Sequence, residues 1–134
     1  VTKKFPYRDN TFDCIFCSHL LEHLYYKEGI FMVKEAYRVL KKRGILRISV
    51  PDLDKIVANY DSNHPEIFLD GIFEAKQKRD KNRHHFHYNE TSLARLLNET
   101  GFTEVYRCAF KEGRCPDVAL IDSRPESLFM EAIK

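Results

Sequence analysis

Two short apolar runs, Phe12-Asp13-Cys14-Ile15-Phe16-Cys17-Ser18 and Ile45-Leu46-Arg47-Ile48-Ser49-Val50, bracket one amphipathic stretch. No other feature restricts the fold as strongly. Each run is mostly apolar without clean alternation, as in a strand of a parallel sheet covered on both faces. Arg8-Asp9-Asn10 gives a turn before the first run, and Pro51 stops the second. Between them Ile30, Val33, Tyr37 and Leu40 fall on one face of a helix over Lys27–Lys41. Lys41, Lys42 and Arg43 suit the negative end of its dipole, and Gly44 is expected at the left-handed C′ position. Strand, helix and strand in this order make a right-handed crossover, so the two strands are expected to be parallel neighbours.

The remaining chain continues the alternation. Asp52 is placed to cap a short helix with Leu53, Ile56, Val57 and Tyr60 on its apolar side. After a polar break at 61–65, residues 66–81 are helix-compatible, and 80–88 read as a loop crowded with basic residues and histidine. Asn89 or Thr91 can cap a helix over Ser92–Thr100 that Gly101-Phe102 ends in the Schellman manner. Thr103–Phe110 and Ser127–Ile133 are the last strand candidates, expected as an antiparallel hairpin around an irregular 111–126 loop. The expected class is α/β, with residues 1–134 a single domain and no repeat or linker.

Composition removes several functions. With 22 lysines and arginines against 20 aspartates and glutamates, the net charge of +2 does not suit a dedicated nucleic-acid binder. No apolar run approaches the ~20 residues of a membrane span. No charged-then-apolar leader opens the chain, which starts at Val1, and the expectation is a fragment of a cytoplasmic protein. Cys14 and Cys17 have CxxC spacing, but on a strand they point to opposite faces and cannot grip one metal ion. They and Cys108 and Cys115 read as structural thiols in a reducing compartment.

Four segments together resemble a known family. They are Phe5-Pro6-Tyr7-Arg8-Asp9-Asn10-Thr11-Phe12-Asp13, Ser18-His19-Leu20-Leu21-Glu22-His23-Leu24, Glu35-Ala36-Tyr37-Arg38-Val39-Leu40-Lys41 and Leu46-Arg47-Ile48-Ser49-Val50-Pro51-Asp52. In order and spacing they resemble class I S-adenosylmethionine-dependent methyltransferases, and more narrowly the type 11 methyltransferase domains. Arg124-Pro125-Glu126-Ser127-Leu128 resembles the tail of one subgroup. The resemblance implies a partial Rossmann-like fold with Phe12–Ser18 as family strand 4, Ile45–Val50 as strand 5 and the hairpin as strands 6 and 7, in spatial order 4-5-7-6. Strands 1 to 3, the glycine-rich cofactor loop and the acidic ribose ligand have no counterpart in this sequence. Lys41-Lys42-Arg43-Gly44 stands where the family usually has Lys-Pro-Gly-Gly.

By the same resemblance the cofactor is S-adenosylmethionine. Ser18, His19 and Leu20 would border its methionine end, and Phe5 and Pro6 could flank its adenine. Glu22 and His23 belong to the family's Glu-His-Leu signature; they could relay a proton from a methyl acceptor or simply fix their loop. His23 is the better base of the two, its free pKa being about 6.5. In the His84-Tyr88 segment, His85, His87 and Tyr88 could contact an acceptor as part of a lid, or the segment could be a solvated basic loop. Two histidines at i and i+2 could also bind metal on an extended chain, but no metal ligand is assigned. The acceptor is expected to be a small or glycan-like molecule.

Two other classes compete. His19-Leu20-Leu21-Glu22-His23 matches the H-x-x-E-H zinc-peptidase motif, which requires a helix through all five residues. A non-catalytic half-domain serving protein contacts is the second. Without strands 1 to 3, Phe12–Ser18 becomes an apolar sheet edge with little to protect it. The chain prepared alone is therefore expected to bind the cofactor poorly and to self-associate, with a homodimer through that strand as one form.

Overall fold

A computed structural model describes residues 3–74 and 83–134. Strand β1 (Phe12–Ser18) leads through a 3₁₀ turn (Leu21–His23) into helix α1 (Tyr26–Val39) and strand β2 (Leu40–Val50). Helices α2 (Leu53–Ala58), α3 (Pro65–Phe73) and α4 (Glu90–Thr100) follow. Strand β3 (Glu104–Cys108), a single helical turn α5 (Val118–Ile121) and strand β4 (Leu128–Ile133) complete the order. The sheet runs β1-β2-β4-β3. β1 and β2 are parallel, with Cys17 opposite Ile48, and β4 is antiparallel to both β2 and β3. This is the order 4-5-7-6 implied by the resemblance.

Residue alternation on the central strands sorts the two faces. Leu46, Ile48 and Val50 of β2 and Leu128, Met130 and Ala132 of β4 pack with Met32, Val33 and Ala36 of α1 and Leu93, Leu96 and Leu97 of α4. The opposite face carries Arg47, Ser49 and Glu131, also buried. The 109–126 segment covers Arg47 there, with the Ala109 and Glu112 carbonyls and the Asp122 carboxylate accepting from its guanidinium.

Local chemistry sets the element ends. Asp52 Oδ1 accepts from Asp54 N at 3.2 Å and opens α2. Asn89 and Ser92 exchange side-chain and backbone hydrogen bonds at the start of α4. Gly101 closes α4 at φ 116°, and Phe102 N donates to Leu97 O at 3.3 Å, the Schellman bond.

Four expectations change. α1 stops at Val39 and β2 starts at Leu40, because Leu40 pairs with Phe12 and Arg43 N donates to Lys134 O. Arg43, not Gly44, takes the left-handed conformation, at φ 66°. Gly44 is required by proximity instead: a Cβ there would lie 2.9 Å from Lys41 O and 3.2 Å from Asp13 O. The helix expected over 66–81 ends at Phe73, with Glu74 left-handed at φ 48°; the rest of it, with Lys76, Lys78, Arg79 and Lys81, lies outside the described residues. The apolar side expected for the Asp52-capped helix is not buried, since Val57 and Tyr60 are both over half exposed.

Cys14 and Cys17 do face opposite sides of β1. Cys17 sits in the helix-facing core, while Cys14 Sγ meets Cys115 Sγ across the other face, and all four cysteines are free thiols. Among the described residues no helix is long and apolar enough to cross a membrane.

Candidate active site

β1 and β2 are parallel, so their carboxyl ends lie together, and a cleft of about 390 Å³ opens beside them. Its lining includes His19 just past β1, Pro51 and Asp52 just past β2, Lys55 and Ile56 of α2, Gly71 and Glu74 at the end of α3, His84, and Arg124 to Ser127 without Pro125. In open α/β sheets this is where ligands bind.

His19 is the hub. It takes a left-handed conformation, φ 45°, which turns the chain sharply off the strand end. Its Nδ1 lies 3.0 Å from Glu22 Oε1 and its Nε2 3.0 Å from Ser127 Oγ. Glu22 is wholly buried, so Nδ1–H donating to that carboxylate fixes the tautomer. Nε2 is then left to accept the Ser127 hydroxyl. Arg124 Nη1 stands 3.4 Å from the same ring.

Ser18, Leu20, Glu22 and His23 flank this hub along the chain. Ser18 accepts at its hydroxyl from Ser49 Oγ, tying the ends of β1 and β2, and Leu20 is exposed next to His19. Glu22 pairs with His19. His23 instead places Nδ1 3.3 Å from the Arg83 carbonyl, and its ring meets His84 edge-on. The backbone carbonyl of Glu22 accepts from His85 N and Phe86 N at 2.8 and 3.2 Å, which staples the histidine segment to the 3₁₀ turn.

The other five expected residues stand elsewhere. Phe5 is held by Glu35 and Arg38 near the carboxyl end of α1, at the far end of β1 from the cleft, with Pro6 exposed beside it. Tyr88 is 1% exposed and belongs to the core instead of a lid. Its hydroxyl reaches so close to α1 that a Cβ at Gly29 would lie 2.8 Å from it. His85 stacks on Tyr25, and His87 Nε2 donates to the Ile72 carbonyl at 2.6 Å.

Burial holds the His84 pKa below its ordinary value, against the nearby Glu74 carboxylate, which pulls it up. Burial likewise pushes the Tyr88 hydroxyl up. The zinc-peptidase reading fails on geometry. The strand ends at Ser18, His19 is left-handed, and only three residues form a 3₁₀ turn, so His19 and His23 do not share a helix face.

Sequence reasoning did not assign roles to Arg124, Ser127, Glu74 or His84. The Arg124–Leu128 segment did stand out as a subgroup-like tail, but its contact with His19 spans 108 positions and has no local signal.

Comparison with known proteins follows the same line. Residues 1–48 match the family described as methyltransferase domain. An uncharacterised protein of Methanocaldococcus jannaschii is 35% identical over 63 residues, which are 47% of this chain and 27% of that protein. A methyltransferase of Archaeoglobus fulgidus that depends on S-adenosylmethionine superposes with a TM-score of 0.63 at 17% identity, over 96% of this chain and 62% of that one. A possible histamine N-methyltransferase of Thermotoga maritima gives 0.59 at 20% identity, over 97% and 59%. The 1,6-didemethyltoxoflavin-N1-methyltransferase of Burkholderia thailandensis, solved with S-adenosylhomocysteine, gives 0.54 at 19%, over 94% and 45%. The fold is the class I methyltransferase fold. Over residues 1–48 the chain is similar to the methyltransferase-domain family, and it spans about a quarter of the curated relative it matches.

Proposed function

We propose that this chain forms the acceptor side of a methyl-transfer site and acts on a small, polar, hydroxyl-bearing or glycan-like molecule. One observation carries the reading: His19, backed by the buried Glu22 carboxylate, lines the cleft at the carboxyl ends of β1 and β2.

The residues present fit one wall of a cofactor site. The sharp turn at His19 sets that residue on the cleft wall at the end of β1, on the side where the methionine end of the cofactor would lie. When bound, S-adenosylmethionine supplies a methyl group already activated by its sulfonium. The chain's own work is to position the acceptor and to take its proton. An acceptor hydroxyl or amine replacing Ser127 at His19 Nε2 would pass its proton to the imidazole, and Glu22 would stabilise the imidazolium. Arg124, Lys55, Asp52 and Glu74 give the cleft mixed polar walls suited to such an acceptor.

β1 pairs only with β2 among the described residues. Its other edge supports the expected pairing with a further strand or a second copy, which light scattering on the 134-residue chain would read as self-association.

The test uses the full-length protein with S-adenosylmethionine and a panel of hydroxylated and amino acceptors, measured by release of S-adenosylhomocysteine. His19→Ala should lower turnover by about 10²–10⁴-fold while cofactor affinity from calorimetry stays within about twofold. Unchanged turnover in His19→Ala would overturn the assignment.

A further inference from the structure

We propose that Glu22, His23 and His84 form a binding site for a first-row divalent cation, with zinc the best match. One ligand atom from each of the three side chains lies within 4.8 Å of the other two. Two imidazoles and one carboxylate are a donor set that zinc accepts while keeping a fourth position open.

A second observation points at a missing ligand. Glu22 Oε2 and both ring nitrogens of His84 are buried without a hydrogen-bond partner. Glu22 is 0% and His84 7% exposed, so water does not serve them in bulk. Buried polar atoms are nearly always satisfied, and one ion would satisfy Glu22 Oε2 and one His84 ring nitrogen together. Glu74 Oε1 comes within 3.4 Å of His84 Nε2; it is a near neighbour without hydrogen-bond geometry and would be a second oxygen donor close at hand.

The remaining atoms of Glu22 and His23 are already committed in the way metal ligands need. Glu22 Oε1 accepts from His19, which leaves Oε2 as the free donor. His23 Nδ1 donates to the Arg83 carbonyl, which leaves the Nε2 lone pair for a cation. Outer partners of this kind fix ring orientation and raise ligand basicity. The two hydrogen bonds from His85 N and Phe86 N to the Glu22 carbonyl hold the two ligand-bearing segments together, so the site is preorganised between segments far apart in sequence. Zinc ligands at about 2.0–2.2 Å require the three donors to close by about 1 Å, a side-chain rotation.

This set is not the H-x-x-E-H arrangement. His19 stays outside the coordination group and orients Glu22 from behind. His84 also lines the cleft, so an open coordination position would face an acceptor oxygen beside His19. That use rests on the methyl-transfer reading; the site itself does not.

The test loads the chelator-stripped full chain with zinc alone, followed by competition calorimetry and X-ray absorption. One zinc per chain is expected, with nitrogen and oxygen ligands in the first shell. Glu22→Gln and His84→Ala should each weaken zinc at least tenfold, and His85→Ala, an exposed neighbour outside the set, should not. Circular dichroism checks that each variant is folded. If His84→Ala is unfolded, the wild-type absorption spectrum decides, because sulfur ligands or oxygen ligands alone would overturn the proposal. Substoichiometric zinc, or equal affinity in folded His84→Ala, would also overturn it. Zinc binding is read without turnover, so this site and the role of His19 can fail separately.

Discussion

Replacing Arg47 with methionine tests the polar face of the sheet. The guanidinium donates from Nε to Asp122 Oδ1 at 2.8 Å, from Nη2 to Asp122 Oδ2 at 2.5 Å and from Nη1 to Glu131 Oε1 at 2.9 Å. All three side chains are fully buried. Burial works against the arginine's charge, but Asp122 and then Glu131 more than offset this and raise its pKa. Burial also works against the Glu131 carboxylate, yet the N–H groups of Cys115 and Arg114, the Tyr106 hydroxyl and Arg47 hold its pKa below the ordinary value. In Arg47→Met, Glu131 keeps three of these donors, whereas Asp122 keeps only the Lys111 N–H. The loss therefore falls mainly on Asp122. Breaking a buried pair from one side costs about 3–5 kcal/mol, a large share of a stability of roughly 5–15 kcal/mol. Urea unfolding at pH 7 should show that loss, and adding Asp122→Asn should recover about 1 kcal/mol or more. The sign with pH follows from Glu131, whose pKa Arg47 helps to hold down. Without arginine that pKa rises, so acid neutralises Glu131 sooner in the variant, and the difference from wild type should shrink between pH 7 and pH 4. A loss under about 1 kcal/mol at pH 7, or one that does not change with pH, would refute the reasoning.

Gly113→Ala should cost about 2 kcal/mol or more, read as a lower thermal midpoint, because Gly113 sits at φ 152° and a Cβ would strike Glu131 Oε1 and lie 2.6 Å from Arg47 Nη1. Glu35 is held down to a pKa of about 2, first by its hydrogen bond with Arg38 and also by the Phe5 N–H. Its stabilising contribution is whole above the ordinary value of 4.5 and fades as pH falls toward about 2; the urea midpoint of Glu35→Gln should fall less steeply across that window. Burial pushes the Cys17 thiol up to about 12, so iodoacetamide at pH 8 should leave it unmodified in the native chain and label it in urea, by mass spectrometry of its peptide.

The sequence was most informative where neighbours along the chain decide the outcome. The 3.6-residue period over α1, the Asp52 and Asn89 caps and the Gly101-Phe102 stop all rest on residues within one or two turns of each other. Leu40 to Gly44 read as a helix end because Lys41-Lys42-Arg43 suits one. The strand pairing that wins there comes from Phe12 and Lys134, which carry no local mark. The candidate site divides in the same way. His19 and Glu22 sit three positions apart and could be singled out together, although the carboxylate's partner turns out to be His19 and not His23. Ser127 and His84 reach the site only through the fold. Arg47 and Glu131 are charged residues inside otherwise apolar strands, and only the sheet register, which sets them opposite each other, explains them.

β4 follows β3 in the chain yet lies between β2 and β3 in the sheet, and loop-closure entropy predicts an order of folding from this. β1, α1 and β2 can assemble from residues 12–50, and the β3–β4 hairpin from residues 104–133, each by contacts made within its own stretch. Joining the halves requires Val50 to find Leu128, a long loop closure whose contacts repay it only after the ends have met. Arg47 and Glu131 meet at this same seam and must shed their water as it closes. The late docking step therefore carries a desolvation barrier. Swapping Arg47, Glu131 and Asp122 together for apolar residues of similar volume should speed refolding even where it leaves the final stability unchanged.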